Sequence, residues 1–156
     1  MYKKMLFAFV LVLLILAGLY VLKNKNSAIQ QTKPAVFEDK VYAYTAENLP
    51  EQCALNSAMA CAVEFTVKCT LNPAFEGCKT SKLPKFIFME DESLKRPTEI
   101  SFKIAKIKPI NADLVEIHTD STCNGNWFGL CNGRVIYVLV PDGNGWRTKD
   151  IYAIEN

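Results

Sequence analysis

The chain has one histidine in 156 residues and no two cysteines spaced as C-x-x-C. The first scarcity leaves little material for general acid–base work or for a histidine-assisted nucleophile. The second removes the usual spacing of zinc sites and of thioredoxin-type redox sites. No Asn-x-Ser/Thr acceptor for N-glycosylation occurs, which favours a bacterial periplasm over a eukaryotic secretory lumen. Charge bias is missing as well. Without Lys3 and Lys4 the 18 basic residues become 16, equal to the 16 acidic ones. Nucleic-acid-binding domains of this size carry a basic excess, so no nucleic-acid partner is expected. Low-complexity segments and internal repeats are also absent.

Cysteine is missing from the first 52 residues, and what stands there instead is apolar. Met5 to Leu22 (MLFAFVLVLLILAGLYVL) carries no charge and is flanked by Lys3 and Lys4 before it and Lys23 and Lys25 after. At ~1.5 Å rise per residue such a helix just spans a hydrocarbon core of ~30 Å. A cleavable signal has a shorter core, roughly 7–15 residues, and ends in small residues of A-x-A type. Neither Leu16-Ala17-Gly18 nor Asn26-Ser27-Ala28 fits that end. We therefore expect residues 1–22 to form an uncleaved single-pass anchor, with a removed signal as the alternative. Lysines on both flanks leave the positive-inside rule undecided. All six cysteines lie beyond the anchor, and disulfides persist only in oxidising compartments. Hence the expected layout is a bacterial inner-membrane protein with a cytoplasmic N-terminus, a polar tether at 23–35 and a periplasmic domain at 36–156.

Within that domain the apolar residues Val36, Phe37, Val41 and Tyr44 recur at helical spacing, and Pro50 suits the first turn of a second short helix. Residues 61–71 are ambiguous. With period two, Cys61, Val63, Phe65, Val67, Cys69 and Leu71 share a face. With period 3.6, Leu55, Met59, Ala62, Val63 and Thr66 form a stripe. The β-branched content favours a strand over about 62–71. Phe86 to Met89 is a short apolar run, and Asp91 to Pro97 reads as a polar turn. Ile100, Phe102 and Ile104 alternate with polar residues, and then the phase flips at Ile107, which predicts a β-bulge near Ala105. Leu114 to Thr119 is a strand. Val135 to Val140, apolar throughout, is expected in the middle of the sheet. Pro141-Asp142-Gly143-Asn144-Gly145 has hairpin chemistry, and Trp146 to Ile154 returns as the last strand. The resulting class is α+β: N-terminal helices packed on a curved antiparallel sheet and stapled by disulfides.

The closing hairpin VIYVLVPDGNGWRTKDIYAIE, with Trp146 and the pair Asp150-Ile151, resembles the end of nuclear-transport-factor-like, or cystatin-like, domains. The resemblance covers about residues 134–155. It implies a curved sheet wrapping a long helix. It implies no activity, because such rolls host enzymes, carriers and scaffolds alike.

Six cysteines allow 15 connectivities. Cys123–Cys131 is expected to close the neck of a hairpin, Cys69–Cys78 to close across Asn72-Pro73 and Gly77, and Cys53–Cys61 follows by elimination. The last pairing fails if residues 53–61 form one helix, since eight residues then span ~12 Å.

The loop between Cys123 and Cys131 is the candidate binding site. Its Trp127 and Phe128, with Asn124, Asn126 and Leu130, offer aromatic anchors on a clamped loop. The competing reading is that Trp127 and Phe128 fold back into the core. His118 lies beside Glu116 and Asp120 on one strand face, a trio that reads as a solvated face rather than as catalytic machinery. Glu90-Asp91-Glu92 reads as a solvated turn, and Lys103, Lys106 and Lys108 as a wet strand face. No catalytic set, metal site or cofactor is expected. The functional expectation is a non-catalytic envelope module that binds a protein partner, with homo-oligomerisation open. An inhibitor or immunity-type protein acting through the 123–131 loop, and a small-ligand roll, are the alternatives.

Overall fold

A computed structural model describes residues 39–154 apart from 129 and 131. The expected anchor, the tether and Cys131 therefore lie outside the described residues. Among the described residues no helix is long and apolar enough to cross a membrane.

In chain order the elements are β1 (Tyr42–Thr45), α1 (Ala58–Leu71), a 3-10 turn (Lys85–Phe88), β2 (Glu99–Asn111), β3 (Leu114–Cys123), β4 (Gly133–Asp142) and β5 (Gly145–Ile154). The strands form one curled sheet in the order β1-β2-β3-β4-β5, antiparallel throughout. The class is α+β, with α1 as the sole α-helix among the described residues.

Alternation sets the sheet's faces. Ile100, Phe102, Val115, Ile117, Val135, Tyr137, Leu139 and Ile151 point inward and are buried with α1. The register shifts between Ile104 and Lys106, so Ala105 is the extra residue that turns Ile107 back to the inner face opposite Ile117. Gly143 and Asn144 join β4 to β5, and Gly143 sits at φ +56°. A two-residue hairpin with glycine at its first position tolerates that angle. A second shift leaves Lys149 unpaired on the edge strand β5. A lysine at a bulge blunts an open edge against further strand pairing.

Three segments differ from the sequence expectation. Residues 62–71 belong to a helix, not a strand. Ser57 caps its start, its side chain accepting from Ala60 N at 3.1 Å. Thr66 and Thr70 turn their hydroxyls onto the carbonyls of Ala62 and Thr66, at 2.7 and 2.9 Å. In that geometry the β-branched threonines are accommodated inside a helix. The 3.6-residue stripe outweighs β propensity here. In the stretch of expected helical spacing, the described residues include strand β1 and no helix, because Tyr42 and Tyr44 pack their rings against Phe102 at 5.7 and 6.1 Å. Nor does Pro50 begin a helix; the chain runs irregularly from β1 to Ser57. Of the expected helices, the first thus holds a strand and the second is irregular chain, and the one α-helix among the described residues stands where a strand was expected. The apolar run 135–140 lies in the fourth strand, while β3 takes the centre. Its outward residues Ile136 and Val138 are buried all the same, with His118 and Tyr152 flanking Ile136.

α1 is buried on nearly every side. Ten of its 14 residues are buried, including Glu64, Thr66, Lys68 and Thr70. The sheet covers one side through Val63, Val67 and the Thr66–Thr148 hydroxyl contact at 2.7 Å. Irregular chain covers the rest, tied on by polar bonds. Lys68 Nζ pairs with Glu64 Oε1 at 2.7 Å and donates to Gln52 O at 3.0 Å. Glu64 Oε2 accepts from Ala54 N at 2.9 Å. Burial first, and then the Glu64 carboxylate, push the Tyr44 phenol above its ordinary range.

Two disulfides close the straps, Cys53–Cys61 tying the preceding segment to the first turn of α1 and Cys69–Cys78 tying the following segment to its last turn, each with Cα atoms 5.6 Å apart. The first is allowed because α1 begins only at Ala58, so residues 53–57 fold back across the first turn. Each closure of this length stabilises by roughly 2–3 kcal/mol, chiefly through the unfolded chain.

A charge with no partner in this interior is expensive. Lys68→Met should cost about 3–5 kcal/mol in chemical denaturation, because the Glu64 carboxylate is stranded. Adding Glu64→Leu to that variant should recover most of the loss.

Candidate functional site

The residues singled out between Cys123 and Cys131 do two different things. Asn124 and Asn126 are fasteners. Asn124 Oδ1 accepts from Thr98 N and Glu99 N at 2.9 and 3.2 Å, and its Nδ2 donates to Thr98 Oγ1 at 2.8 Å. Asn126 Oδ1 accepts from Lys95 N, and Asn126 N donates to Lys95 O at 3.1 Å. Between them Gly125 lies so close to this segment that a Cβ would sit 2.5 Å from Lys95 O. Only glycine permits the approach. The start of the loop is therefore stitched down onto residues 95–99.

Trp127 and Phe128 then part company. Trp127 is 2% exposed and Leu130 is also buried, so both belong to the core. Trp127 is thereby a foundation and not an exposed anchor. Phe128 is 37% exposed and sits at φ +46°, a left-handed conformation that costs a bulky residue of order 1–3 kcal/mol. Its ring meets Trp127 edge-on at 5.0 Å and tilts against Phe86 at 5.3 Å. Met89, nearby in sequence to Phe86, is 49% exposed. Cys123 is disulfide-bonded; the expected partner, Cys131, lies outside the described residues.

Arg96, which sequence reasoning passed over, organises this end of the domain. Its guanidinium lies 4.0 Å from the centre of the Trp127 ring. It donates to Thr70 O and Ile87 O, both at 2.9 Å, and to Met89 O at 3.0 Å. One side chain thus joins the end of α1, the 3-10 turn and the loop. Burial lowers its pKa, while the charge of Glu90 acts in the opposite sense. A lone arginine in a run of surface charges carries no periodic signal, which is why only the fold reveals it.

Two clefts flank Arg96. One of about 530 Å³ is lined by Asn72, Pro73, Ala74, Lys79, Phe88, Glu90 and Arg96. The other, about 240 Å³, is lined by Met89, Glu90, Asp91, Glu92, Leu94, Arg96 and Trp127.

The sheet's outer face carries the remaining candidates. Glu116 Oε2 lies 3.2 Å from His118 Nε2 and 3.3 Å from Lys108 Nζ, and its Oε1 accepts from Tyr152 Oη at 3.4 Å. The hydrogen bond with His118, helped by Lys108, holds the Glu116 carboxyl below its ordinary range. Asp120 joins Arg134 at 3.3 Å, so the structure separates it from the His118–Glu116 pair. Lys103 reaches Asp39 at 3.3 Å. Lys103, Asp120 and Arg134 border an open cleft of about 490 Å³ together with Val41 and Phe102, whereas Glu116 and His118 form a charge pair on the strand face apart from it. Among the described residues no group of three or more His, Cys, Asp or Glu could hold a metal ion.

No family model matches the chain, and neither does any curated protein or solved structure.

The two aromatic residues should respond oppositely to truncation. Trp127→Ala should lose about 3–5 kcal/mol of stability in denaturant titration. Phe128→Gly, which removes the left-handed strain, should stay within about 1 kcal/mol of the parent.

Proposed function

We propose that this chain is a membrane-anchored module of the bacterial cell envelope that binds a protein partner and performs no chemistry of its own. Met5–Leu22 is the anchor and residues 36–156 stand in the periplasm. The two disulfides support that compartment, since such bonds persist where thiols oxidise. The partner contacts the end of the domain where Phe128, Phe86 and Met89 lie beside the acidic run Glu90-Asp91-Glu92.

Phe128 carries the reading. A loop that only had to close would place glycine at a left-handed position and bury its phenylalanine. Here Phe128 is held half-outward at that position, with Trp127 buried beneath it and the asparagines pinning the approach. Strain kept at an exposed aromatic residue is characteristic of a binding position, and a rigid aromatic loses little entropy on binding. Apolar centre and charged rim match the usual anatomy of a protein interface. α1 fills the inner face of the sheet, which argues against a ligand cavity there. The same pinned loop is also suited to an inhibitor or immunity-type protein that presents Phe128 to an enzyme.

A photo-crosslinking phenylalanine analogue at position 128 of the full chain, expressed in cells, tests this. A discrete protein adduct is expected from position 128, reduced by Met89→Glu, and none from position 41, which is also exposed. Equal labelling from both positions would count against a specific contact. Free thiols in the exported residues would count against the compartment.

A further inference from the structure

We propose that Cys53–Cys61 is a thiol-exchange site and a latch on α1, opened by an external dithiol through attack at Cys53 while Cys69–Cys78 stays closed. The inference is independent of the contact reading at Phe128.

Access separates the two cystines. Residues 50–54 form an exposed run that includes Cys53, and Cys61 is half-buried. Cys69 and Cys78 are both 0% exposed. Exchange requires a thiolate to reach a sulfur. A reductant therefore meets the first cystine in the folded domain and the second only after local opening.

The surroundings select the sulfur that is attacked. Attack at Cys53 makes Cys61 the leaving thiolate, and attack at Cys61 does the reverse. Glu64 Oε2 lies 3.2 Å from Cys53 Sγ, and a carboxylate at that distance opposes a thiolate on Cys53. Lys68 pairs with the other oxygen, Oε1. Cys61 sits in the first turn of α1, and the N-terminal end of a helix favours negative charge. Cys53 is thus attacked and Cys61 leaves. The incoming thiolate bonds to Cys53 Sγ, the bond to Cys61 breaks, and its electron pair goes to Cys61 Sγ, which takes a proton from water. The second thiol of the dithiol, once deprotonated, attacks the first and releases Cys53, which is protonated in turn. The dithiol ends oxidised to a disulfide, and the cystine ends reduced to two thiols.

Opening frees the strap. Gln52 and Ala54, the neighbours of Cys53, carry its bonds to the buried ions: Gln52 O accepts from Lys68 Nζ at 3.0 Å, and Ala54 N donates to Glu64 Oε2 at 2.9 Å. With Cys53 released, those bonds end on exposed chain, and the ions exchange them for water. Cys69–Cys78 and the Thr66–Thr148 contact still hold the later turns of the helix. Loosening is confined to the start of α1, a local event rather than global unfolding. In an oxidising compartment the latch is closed at rest.

The full chain in detergent micelles, treated with dithiothreitol, quenched by alkylation and mapped by mass spectrometry of its peptides, tests this. Cys53–Cys61 should open at least about tenfold faster than Cys69–Cys78. Glutathione, a monothiol, stops the reaction at its first step, and with the freed thiol alkylated the adduct should lie chiefly on Cys53. In the selectively opened protein, amides of residues 58–64 should exchange about tenfold faster or more, while those of β3 and β4 keep their protection. Opening of both cystines together, adducts chiefly on Cys61, or helix amides unmoved by selective opening would each overturn the proposal.

Discussion

A helix with a buried carboxylate and a buried ammonium sits at the centre of this domain, and the rest of the structure is arranged to make that tolerable. Glu64 and Lys68 are one turn apart, so each is the other's nearest counter-ion. Neutralising the pair is only part of the solution, since buried ions need further hydrogen bonds. Those come from irregular chain: Ala54 N to Glu64 and Gln52 O to Lys68. Glu64 and Lys68 are thereby attachment points, each drawing irregular chain over the side of the helix that the sheet leaves open. The cystines at Cys61 and Cys69 act in the same direction, holding the chain before and after the helix against it.

From this the geometry of the proposed contact surface follows. The C-terminal turn of α1 offers Thr70 O to Arg96. Arg96 in turn grips Ile87 O, Met89 O and the Trp127 ring. Phe128 stands on Trp127. A polar group inside the core is thus linked through a fixed helix end and one guanidinium to an aromatic residue at the surface. This linkage lets a loop hold a strained backbone. The cost at Phe128 is met by the packing of Trp127 and by the asparagine bonds to residues 95–99, so the exposed ring is presented without local softness.

The second half of the domain was legible in the sequence because each strand has one clear pattern. The phase flip at Ile107 placed the bulge at Ala105, and Gly143-Asn144 placed the turn. The first half was not, since two signals compete there. Threonine, valine and phenylalanine between 61 and 71 suit either state, and the deciding features were the Ser57 cap and the Glu64–Lys68 spacing, both of which fit only a helix. Tyr42 and Tyr44 gain their strand from Phe102, some 60 residues away, which local periodicity does not register. At the loop, the residues were identified but their roles were divided by tertiary packing: Asn124 and Asn126 as fasteners, Trp127 as foundation, Phe128 as the exposed group. Arg96 had no sequence signature at all.

The central claim is that α1 stays inside because the flanking chain is strapped across it. Amide hydrogen exchange along residues 58–71, compared in oxidised and fully reduced full-length protein, tests this most directly. We predict that these amides are among the slowest in the oxidised protein and exchange roughly a thousandfold faster once both straps are cut. Unchanged protection of the helix after reduction would contradict the account.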